Sequence, residues 1–539
     1  MAIVTLNKKE IKKIIGNVDD EKIDETLSMF GTAVESISED KIEVEVAPNR
    51  PDMLSQQGIA RALGSFLGNS PGLKKYPLQK PQKDYKVIIK PSVKEIRPCV
   101  ACAIVKNLSF NDEKIKEIID IQEKLHTTIG RNRKKVAIGI YPLEKISLPI
   151  TYTAEKPNKI KFLPLEYPKE LTGRQILQKH PTGRDYAHLL EDKPLYPIFI
   201  DAKNKILSMP PIINSHETGK ITEATKEVFV ECSGFNQEVL NKVLNIVVTT
   251  LAEQGGQIYQ MNLDKLTTPN LTPEKMKLSL ENTNKLLGLN LKESDIQKLL
   301  PKMGCNYSKG KVEIPAWRTD ILHEVDIIED IAIAYGYNNF KPEIPQVATT
   351  GEESKESKIK SKIAEILVGL RLLETSSYHL IKKQESSQQD LIELENSKTE
   401  YKFLRPSLLP PALRILAENK DNEYPQNLFE IGTVFSRDSE TETGIKEIEN
   451  LIVSLTPGNF TQIKQILDYL TRTLGINYTL ESSIHSNLID GRTASVKINN
   501  KKIGYLGEIH PQTLKDWSIK MPCAVLEISL EEIFKILEN

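Results

Sequence analysis

The apolar positions of this chain switch repeatedly between the period of a helix and that of a strand. Residues 42–46, Ile-Glu-Val-Glu-Val, alternate strictly, the pattern of a strand with one buried face. They run into Ala47-Pro48-Asn49-Arg50-Pro51-Asp52, where two prolines oppose both helix and ladder. Helical spacing predicts elements near 8–15 and 21–30 before this turn and over 54–67 after it, with Gly68 as the stop. The proline- and lysine-rich stretch 69–84 reads as a linker. Strands are predicted over 87–89, 100–105, 136–140, 198–200 and 228–230, and helices over 112–125 and 237–253. Between them, 142–195 is rich in proline and lysine and reads as loops with short elements. A further unit follows, with helices over 281–287 and 293–303, a strand over 312–314 and a last helix inside 317–337. Polar residues 349–362 lead into a final unit. It opens on an amphipathic helix near 359–370 and continues with strands over 427–435, 494–498 and 524–528.

These patterns predict an α+β multidomain chain, divided at 1–84, 85–265, 266–346 and 347–539. Composition agrees. With 539 residues, 39% apolar and 27% charged, the chain is long enough for several globular cores. A formal net charge of −1 neither demands nor excludes nucleic acid, because basic patches can be local. Only 6% of residues are aromatic, which argues against a base-stacking platform along the whole length. The amino terminus is charged within eight residues, and no run of 18 apolar residues occurs. Five cysteines are too few and too scattered for a disulfide framework. The expectation is a cytoplasmic protein with reduced thiols and no membrane span. Cys99-Val100-Ala101-Cys102 sits in an apolar stretch and reads as a buried strand rather than a metal or redox site.

One stretch carries more charge than a helix needs. Trp317 to Tyr337 reads WRTDILHEVDIIEDIAIAYGY, with five carboxylates from Asp320 to Asp330. At 100° per residue, Ile321, Val325, Ile328, Ala332 and Tyr335 share one face, and Asp326, Glu329 and Asp330 lie opposite. Asp320 stands where an N-cap is expected. Like charges three and four residues apart repel by about 0.2–0.5 kcal/mol per pair. The pattern suits either a solvated helix face or a site for a hard cation such as Mg²⁺.

Six phrases in order resemble the phenylalanyl-tRNA synthetase β-subunit family in its shorter, archaeal and eukaryotic-cytosolic form. They begin with PNRPDMLSQQGIARALGSFLG and RPCVACAIVKNL with IQEKLHTTIGRNRKKVAIGIYPLEKI. MPPIINSHETGKIT, IPAWRTDILHEVDIIEDIAIAYGYNNF, FLRPSLLPPALRILAEN and DGRTASVKINNKKIGYLGEIHP follow. The resemblance implies an N-terminal α/β module, a B3/B4 editing-type α/β domain that handles tRNA, and a winged-helix-like B5 domain. It also implies a C-terminal class II synthetase-like antiparallel sheet domain that lacks catalytic motifs. In the family's B5 motif four carboxylates bind Mg²⁺ at the boundary with the α subunit. They match Asp320, Asp326, Glu329 and Asp330 here. The implied assembly is an α₂β₂ tetramer that uses ATP, phenylalanine and tRNA(Phe). No glycine-rich G-x-G-x-x-R follows Arg405, so Arg405, Glu430 and Arg492 read as packing and interface residues, and aminoacylation is expected on the α subunit.

The family's B3/B4 domain hydrolyses tyrosine wrongly attached to tRNA(Phe). Such a site needs a polar partner for the phenol, a positioned water and cations for the tRNA end. The candidates are Glu231, at the end of the apolar run 228–230, Asn214 and Ser215 after the stiff Pro210-Pro211, Ser208 and His126. Against them stand an ordinary surface carboxylate at Glu231 and a helix C-terminal cap at His126. Where archaeal members read Asp-Val-Thr-Gly-Thr-Asp, residues 231–236 read ECSGFN. Arg131, Arg133, Lys134 and Lys135 form the densest basic run, suited to tRNA phosphates or to a solvated loop. Three function classes follow: an editing-capable β subunit, a non-hydrolytic scaffold of the same complex, and an independent RNA-binding protein. The third does not explain the synthetase-like module.

Overall fold

Side-chain caps begin the first helices of the computed structural model where the sequence places them. Asn7 Oδ1 accepts from the N–H groups of Lys9 and Glu10 and starts the helix Lys8–Ile15. Asp19 caps Asp20–Phe30, and Gly31 ends it in the left-handed region at φ +94°. Ser55 caps Gln56–Phe66. These helices back a three-stranded sheet in which Lys41–Val46 lies between Ala2–Asn7 and Ala33–Ile37. The structure describes residues 2–264, 266–345, 351–386 and 390–538.

The chain falls into two compact units, Met1–Ile344 and Pro345–Asn539. The first contains an eleven-stranded sheet. Toward one edge Val228–Gly234 pairs antiparallel with both Cys99–Lys106 and the edge strand Val136–Pro142, and Cys99–Lys106 pairs with Gln257–Leu263. The C-x-x-C thus lies in a strand, as expected. Val228, Val230 and Cys232 face one core, together with the helix Gln237–Glu253 and the helix Asp112–Thr127. Phe229 faces a second core, lined by Tyr141, Tyr152 and Phe199. Period-2 alternation therefore turns Glu231 away from the first core, toward the side of Phe229.

Three of the expected divisions, 1–84, 85–265 and 266–346, pack as one body. Val4, Leu6 and Ile59 share a continuous apolar cluster with Val230 and Leu244, and with Met303, Trp317 and Ala334. The stretch 69–84 is no free linker. Tyr76 packs edge-on against Trp317 at 5.3 Å between ring centroids, Leu78–Gln79 pairs with Gln257–Leu263, and Lys74 reaches Glu253 at 2.8 Å. Its prolines limit regular structure to one two-residue strand but do not prevent docking. Within 142–195, Ile150–Glu155 is a full strand that the proline count obscured.

The second unit is a seven-stranded sheet. Gln426–Arg437, Ile445–Thr456, Ala524–Ser529, Lys501–Ile509 and Leu488–Ile498 lie side by side and antiparallel. Lys355–Gly369, Phe460–Thr473 and Glu531–Glu538 cover one face. Leu409–Glu418 packs on the other. Arg405 is buried and holds the sheet to the segment before it. Its guanidinium donates to Glu430 Oε1 at 2.8 Å, Ser377 Oγ at 2.8 Å and the Thr433 carbonyl at 2.8 Å. Arg492 pairs at the surface with Glu508 at 2.6 Å.

Removing one member of the buried Arg405–Glu430 pair leaves the other charge uncompensated. We expect Arg405→Met to cost about 3–5 kcal/mol, and Arg405→Met with Glu430→Gln to recover most of that loss. Urea denaturation followed by circular dichroism measures both. Equal losses in the single and double variants would show that shape, not charge, holds this corner.

Candidate functional site

Glu231 sits at the floor of a cavity of about 110 Å³. Helix Asp112–Thr127 supplies His126 and Glu123 to its wall, strand Ile206–Met209 supplies Ser208, and the cis Pro210–Pro211 turn leads to Asn214. Glu231 is 2% exposed and faces Gly139 across the sheet. A methyl group at Gly139 would overlap Tyr141 Oη and Glu231 Oε1, so glycine is what lets both groups approach. Tyr141 Oη lies 3.1 Å from Glu231 Oε1 and 3.3 Å from Asn214 Oδ1.

Burial pushes Glu231 up to about 8, against the opposing pull of the Tyr141 hydrogen bond and the Arg97 charge. The group is thus mostly a neutral carboxyl at neutral pH, not the ordinary surface carboxylate that stood as the alternative. The Tyr141 hydroxyl donates toward Glu231 Oε1 and Asn214 Oδ1, which share its one proton, so the proton that Glu231 keeps stands on Oε2. Glu231 and Ser208 both line the cavity, through Oε2 and Oγ respectively. Both atoms are buried without a hydrogen-bond partner. Buried polar atoms are rarely left so, and each costs roughly 1–3 kcal/mol until satisfied.

His126 has a different task. Its Nε2 accepts from the Ile138 N–H at 2.8 Å, which places the ring proton on Nδ1, 3.2 Å from Glu123 Oε1. Burial lowers its pKa. Both nitrogens are occupied, so the imidazole fastens the helix end to the strand. Arg133 completes a clamp: it donates to Glu123 Oε1 at 2.8 Å and to the Ile212 carbonyl at 2.9 Å, and lies 4.5 Å over the Tyr186 ring. Burial opposes ionisation of Glu123, but His126 and Arg133 outweigh it and lower its pKa.

The structure therefore brings Glu231, Asn214, Ser208, His126 and Arg133 to one cavity and leaves out the others. Ser215 is buried behind the wall, its N–H donating to the Leu207 carbonyl at 2.7 Å. Arg131, Lys134 and Lys135 are exposed on the adjoining loop. That loop turns through three consecutive left-handed residues, Arg131, Asn132 and Arg133, at φ +47°, +52° and +63°. Sequence reasoning missed Gly139 and Tyr141. A lone glycine inside the strand pattern 136–140 was the available signal. Asn236 proves to be the N-cap of Gln237–Glu253, accepting from Val239 N–H at 3.1 Å. Asn and Asp serve equally there, so the departure in ECSGFN falls on a helix start.

The acidic stretch 317–337 folds differently from its helical-wheel reading. The helix runs Glu324–Tyr335, and its N-cap is His323, not Asp320. Val325 is 49% exposed, while Asp330 is 4% exposed among Ile327, Ile328 and Ile331. Asp320 instead lies in the turn before the helix, where Arg318 grips it with two bonds of 2.8 and 2.6 Å. The same guanidinium donates to Asp330 Oδ1 at 3.1 Å, and Asp330 Oδ2 stands 3.1 Å from its Nη1 without hydrogen-bond alignment. Burial raises the Asp330 pKa against the pull of Arg318. Asp326 Oδ2 accepts from the N–H groups of Leu322 and His323, both at 2.8 Å, closing a capping box. Glu329 is exposed. Glu324 bonds Ser279 N–H and Asn282 Nδ2 and so fastens the start of Leu280–Leu287. Among the described residues no three His, Cys, Asp or Glu side chains converge on a metal-sized site. With two carboxylates shared by Arg318 and a third capping the helix, the quartet as arranged does not fit a divalent cation.

Close beside this cluster lies a second buried pair, from the proline turn. Arg50 donates to both oxygens of Asp52 at 2.9 Å. Burial works against the Asp52 charge, yet Arg50, Arg318 and Arg61 together lower its pKa. Arg61 lies 4.5 Å over the Trp317 ring.

This arrangement has relatives. The chain is 38% identical over 505 residues to the phenylalanine–tRNA ligase β subunit of Pyrococcus furiosus, covering 90% of each protein. The chain belongs to the phenylalanyl-tRNA synthetase β-subunit family. The β subunit of Archaeoglobus fulgidus is 36% identical over 554 residues and 99% of each chain. Residues 341–530 match the family's phenylalanyl-tRNA synthetase β-chain CLM domain, and residues 276–337 match the tRNA synthetase B5 domain. Among solved structures, an N-terminal fragment of the Pyrococcus horikoshii phenylalanyl-tRNA synthetase β subunit aligns with a TM-score of 0.59 and 37% identity. It covers 62% of this chain and 99% of the fragment. The cavity around Glu231 and the Arg318 cluster thus stand in a β-subunit of this family.

The folded state holds the Glu231 proton up to about pH 8, whereas the unfolded chain releases it near the ordinary value of 4.5. This group's contribution to stability is therefore full below pH 4.5 and is lost as the pH rises to about 8. We expect Glu231→Gln to flatten that decline, measured as the midpoint of thermal unfolding from pH 5 to pH 8. Identical slopes in both proteins would show that Glu231 ionises without cost. Gly139→Ala should cost about 1–3 kcal/mol in the same experiment, through overlap with Tyr141 and Glu231.

Proposed function

We propose that this chain is the editing-capable, non-aminoacylating β subunit of a phenylalanine–tRNA ligase. It acts with an α subunit in an α₂β₂ assembly that consumes ATP with Mg²⁺, phenylalanine and tRNA(Phe), in the cytoplasm. Among the described residues no helix is long and apolar enough to cross a membrane. The cavity's task is to accept tyrosine mistakenly joined to tRNA(Phe) and to favour its hydrolysis. An apolar site built for phenylalanine rejects one added hydroxyl only about a hundredfold, so a second site that reads the hydroxyl is needed.

The observation that carries this reading is the pair of unpartnered buried atoms, Glu231 Oε2 and Ser208 Oγ. With Tyr141 donating to Oε1, the proton that Glu231 keeps stands on Oε2 and is donated to the phenol oxygen of a bound tyrosine, and Ser208 offers a second contact. Phenylalanine leaves both atoms unsatisfied, and that penalty is what discriminates. Asn214, oriented by Tyr141, is placed to hold the ester carbonyl or the attacking water. Arg133 and His126 stiffen the walls. Arg131, Lys134 and Lys135, on the rim, contact phosphates of the tRNA acceptor end. A second reading, a scaffold that binds tRNA without hydrolysis, is favoured by one fact: His126, the cavity's imidazole, has no nitrogen free for proton transfer.

The test is deacylation of Tyr-tRNA(Phe) by the complex with its α subunit. Glu231→Ala should slow deacylation by about 100-fold or more while phenylalanine attachment continues. Unchanged deacylation in that variant removes Glu231 from the editing role. A wild-type complex that attaches phenylalanine but never deacylates Tyr-tRNA(Phe) establishes the scaffold reading instead.

A further inference from the structure

The B5 region carries an unexplained electrostatic cost. In its three-stranded sheet, where Glu274–Lys277 pairs with Lys311–Ile314, Lys277 stands directly opposite Lys311. Like charges directly opposed across an antiparallel pair are destabilising. Alternation puts Met276 and Val312 inward and leaves Lys275, Lys277 and Lys311 on the outer face, with Lys309 at the turn beside Gly310. The nearby acids are already engaged. Glu313 pairs with Lys275 at 3.3 Å, and Glu274 pairs with Lys242 at 2.8 Å. Among the described residues Lys277, Lys309 and Lys311 have no acidic partner. Lys275, Lys309 and Lys311 line an open cavity of about 750 Å³, to which Gln297 and Ser308 add neutral hydrogen-bonding groups.

We propose that this lysine face of the B5 sheet is an RNA-binding surface that holds the phosphodiester backbone of the tRNA, separately from the basic loop 131–135. The inference rests on the reading of the chain as a tRNA-handling subunit. The chemistry selects the partner. An array of flexible point charges with neutral donors between them suits tetrahedral phosphates spaced along a strand. A planar carboxylate is better matched by the bidentate fork of arginine, and no arginine lines this cavity. In a chain of net charge −1, three uncompensated lysines on one small sheet are a local anion-binding surface, and a bound backbone removes the repulsion that the free sheet carries.

The test uses the complex with its α subunit and measures binding of tRNA(Phe) by fluorescence anisotropy as a function of salt. Lys277→Glu turns the opposed like charges into an attractive pair, so its thermal midpoint should stay level or rise. A purely structural role would leave binding intact. If the face holds phosphates, binding should weaken severalfold in Lys277→Glu. In Lys277→Glu with Lys311→Glu the slope of log Kd against log salt should fall by about 2, near one per lost phosphate contact. A charge-matched control, Lys502→Glu with Lys515→Glu in the other unit, should leave the slope in place. Unchanged affinity and slope in the B5 double variant overturn the proposal while leaving the function reading intact. So does an unchanged tRNA slope with loss of the α subunit, which would make the face a protein-docking surface. A wild-type complex that fails to bind tRNA(Phe) overturns both readings, and the deacylation assay separates the two failures.

Discussion

A guanidinium held between two carboxylates, Arg318 with Asp320 and Asp330, is the constraint around which the first unit is organised. Charges this deep are costly to desolvate, and the arrangement persists because Arg318 donates to three of the four carboxylate oxygens. Asp320 comes from the turn before the helix and Asp330 from its second turn, so one arginine fixes how the helix Glu324–Tyr335 is entered. Arg50–Asp52 from the proline turn lies near enough to feel the same charges. Arg61 on the Trp317 ring adds a third link, from the helix Gln56–Phe66. Sequence segments more than 250 residues apart thus meet in one desolvated electrostatic cluster.

The cavity at Glu231 uses the opposite solution. Here a carboxyl is buried without a cation at bonding distance, and it responds by keeping its proton. A buried ion pair builds a rigid join; a buried neutral acid builds a hydrogen-bonding surface whose polarity a ligand can complete. The wall that carries it is stiffened from behind by His126 and Arg133, so the unsatisfied atoms cannot relax toward each other at low cost. The same fold therefore contains buried charge that is paired and a buried acid that stays neutral.

Elements with a long uninterrupted period were readable in advance. Lys8–Ile15, Lys41–Val46, Cys99–Lys106 and Gln237–Glu253 all fall where spacing placed them. What spacing could not give was orientation against a neighbour that is remote in sequence. The helical wheel put Asp330 on a solvent face because a wheel contains no Arg318. It put Val325 inside because it contains no capping His323. The strand Ile150–Glu155 was hidden by prolines on either side of it. Of the cavity, Glu231 and Asn214 were identified by their local setting. Gly139 and Tyr141 needed the antiparallel register that brings residue 139 opposite residue 231.

The apolar core that runs unbroken from Val4 through Leu244 to Ala334 has a consequence for inheritance. Segments that share one interior cannot be exchanged singly, because each supplies part of the others' packing surface. An exchange between relatives that cut at residue 84 or 265 would pair interiors with no common history. One made at the division between Ile344 and Pro345 would transfer each interior whole. Substitutions at Val4 or Leu6 are therefore expected to be felt by the rest of that shared interior, Ile59 and Leu63 first.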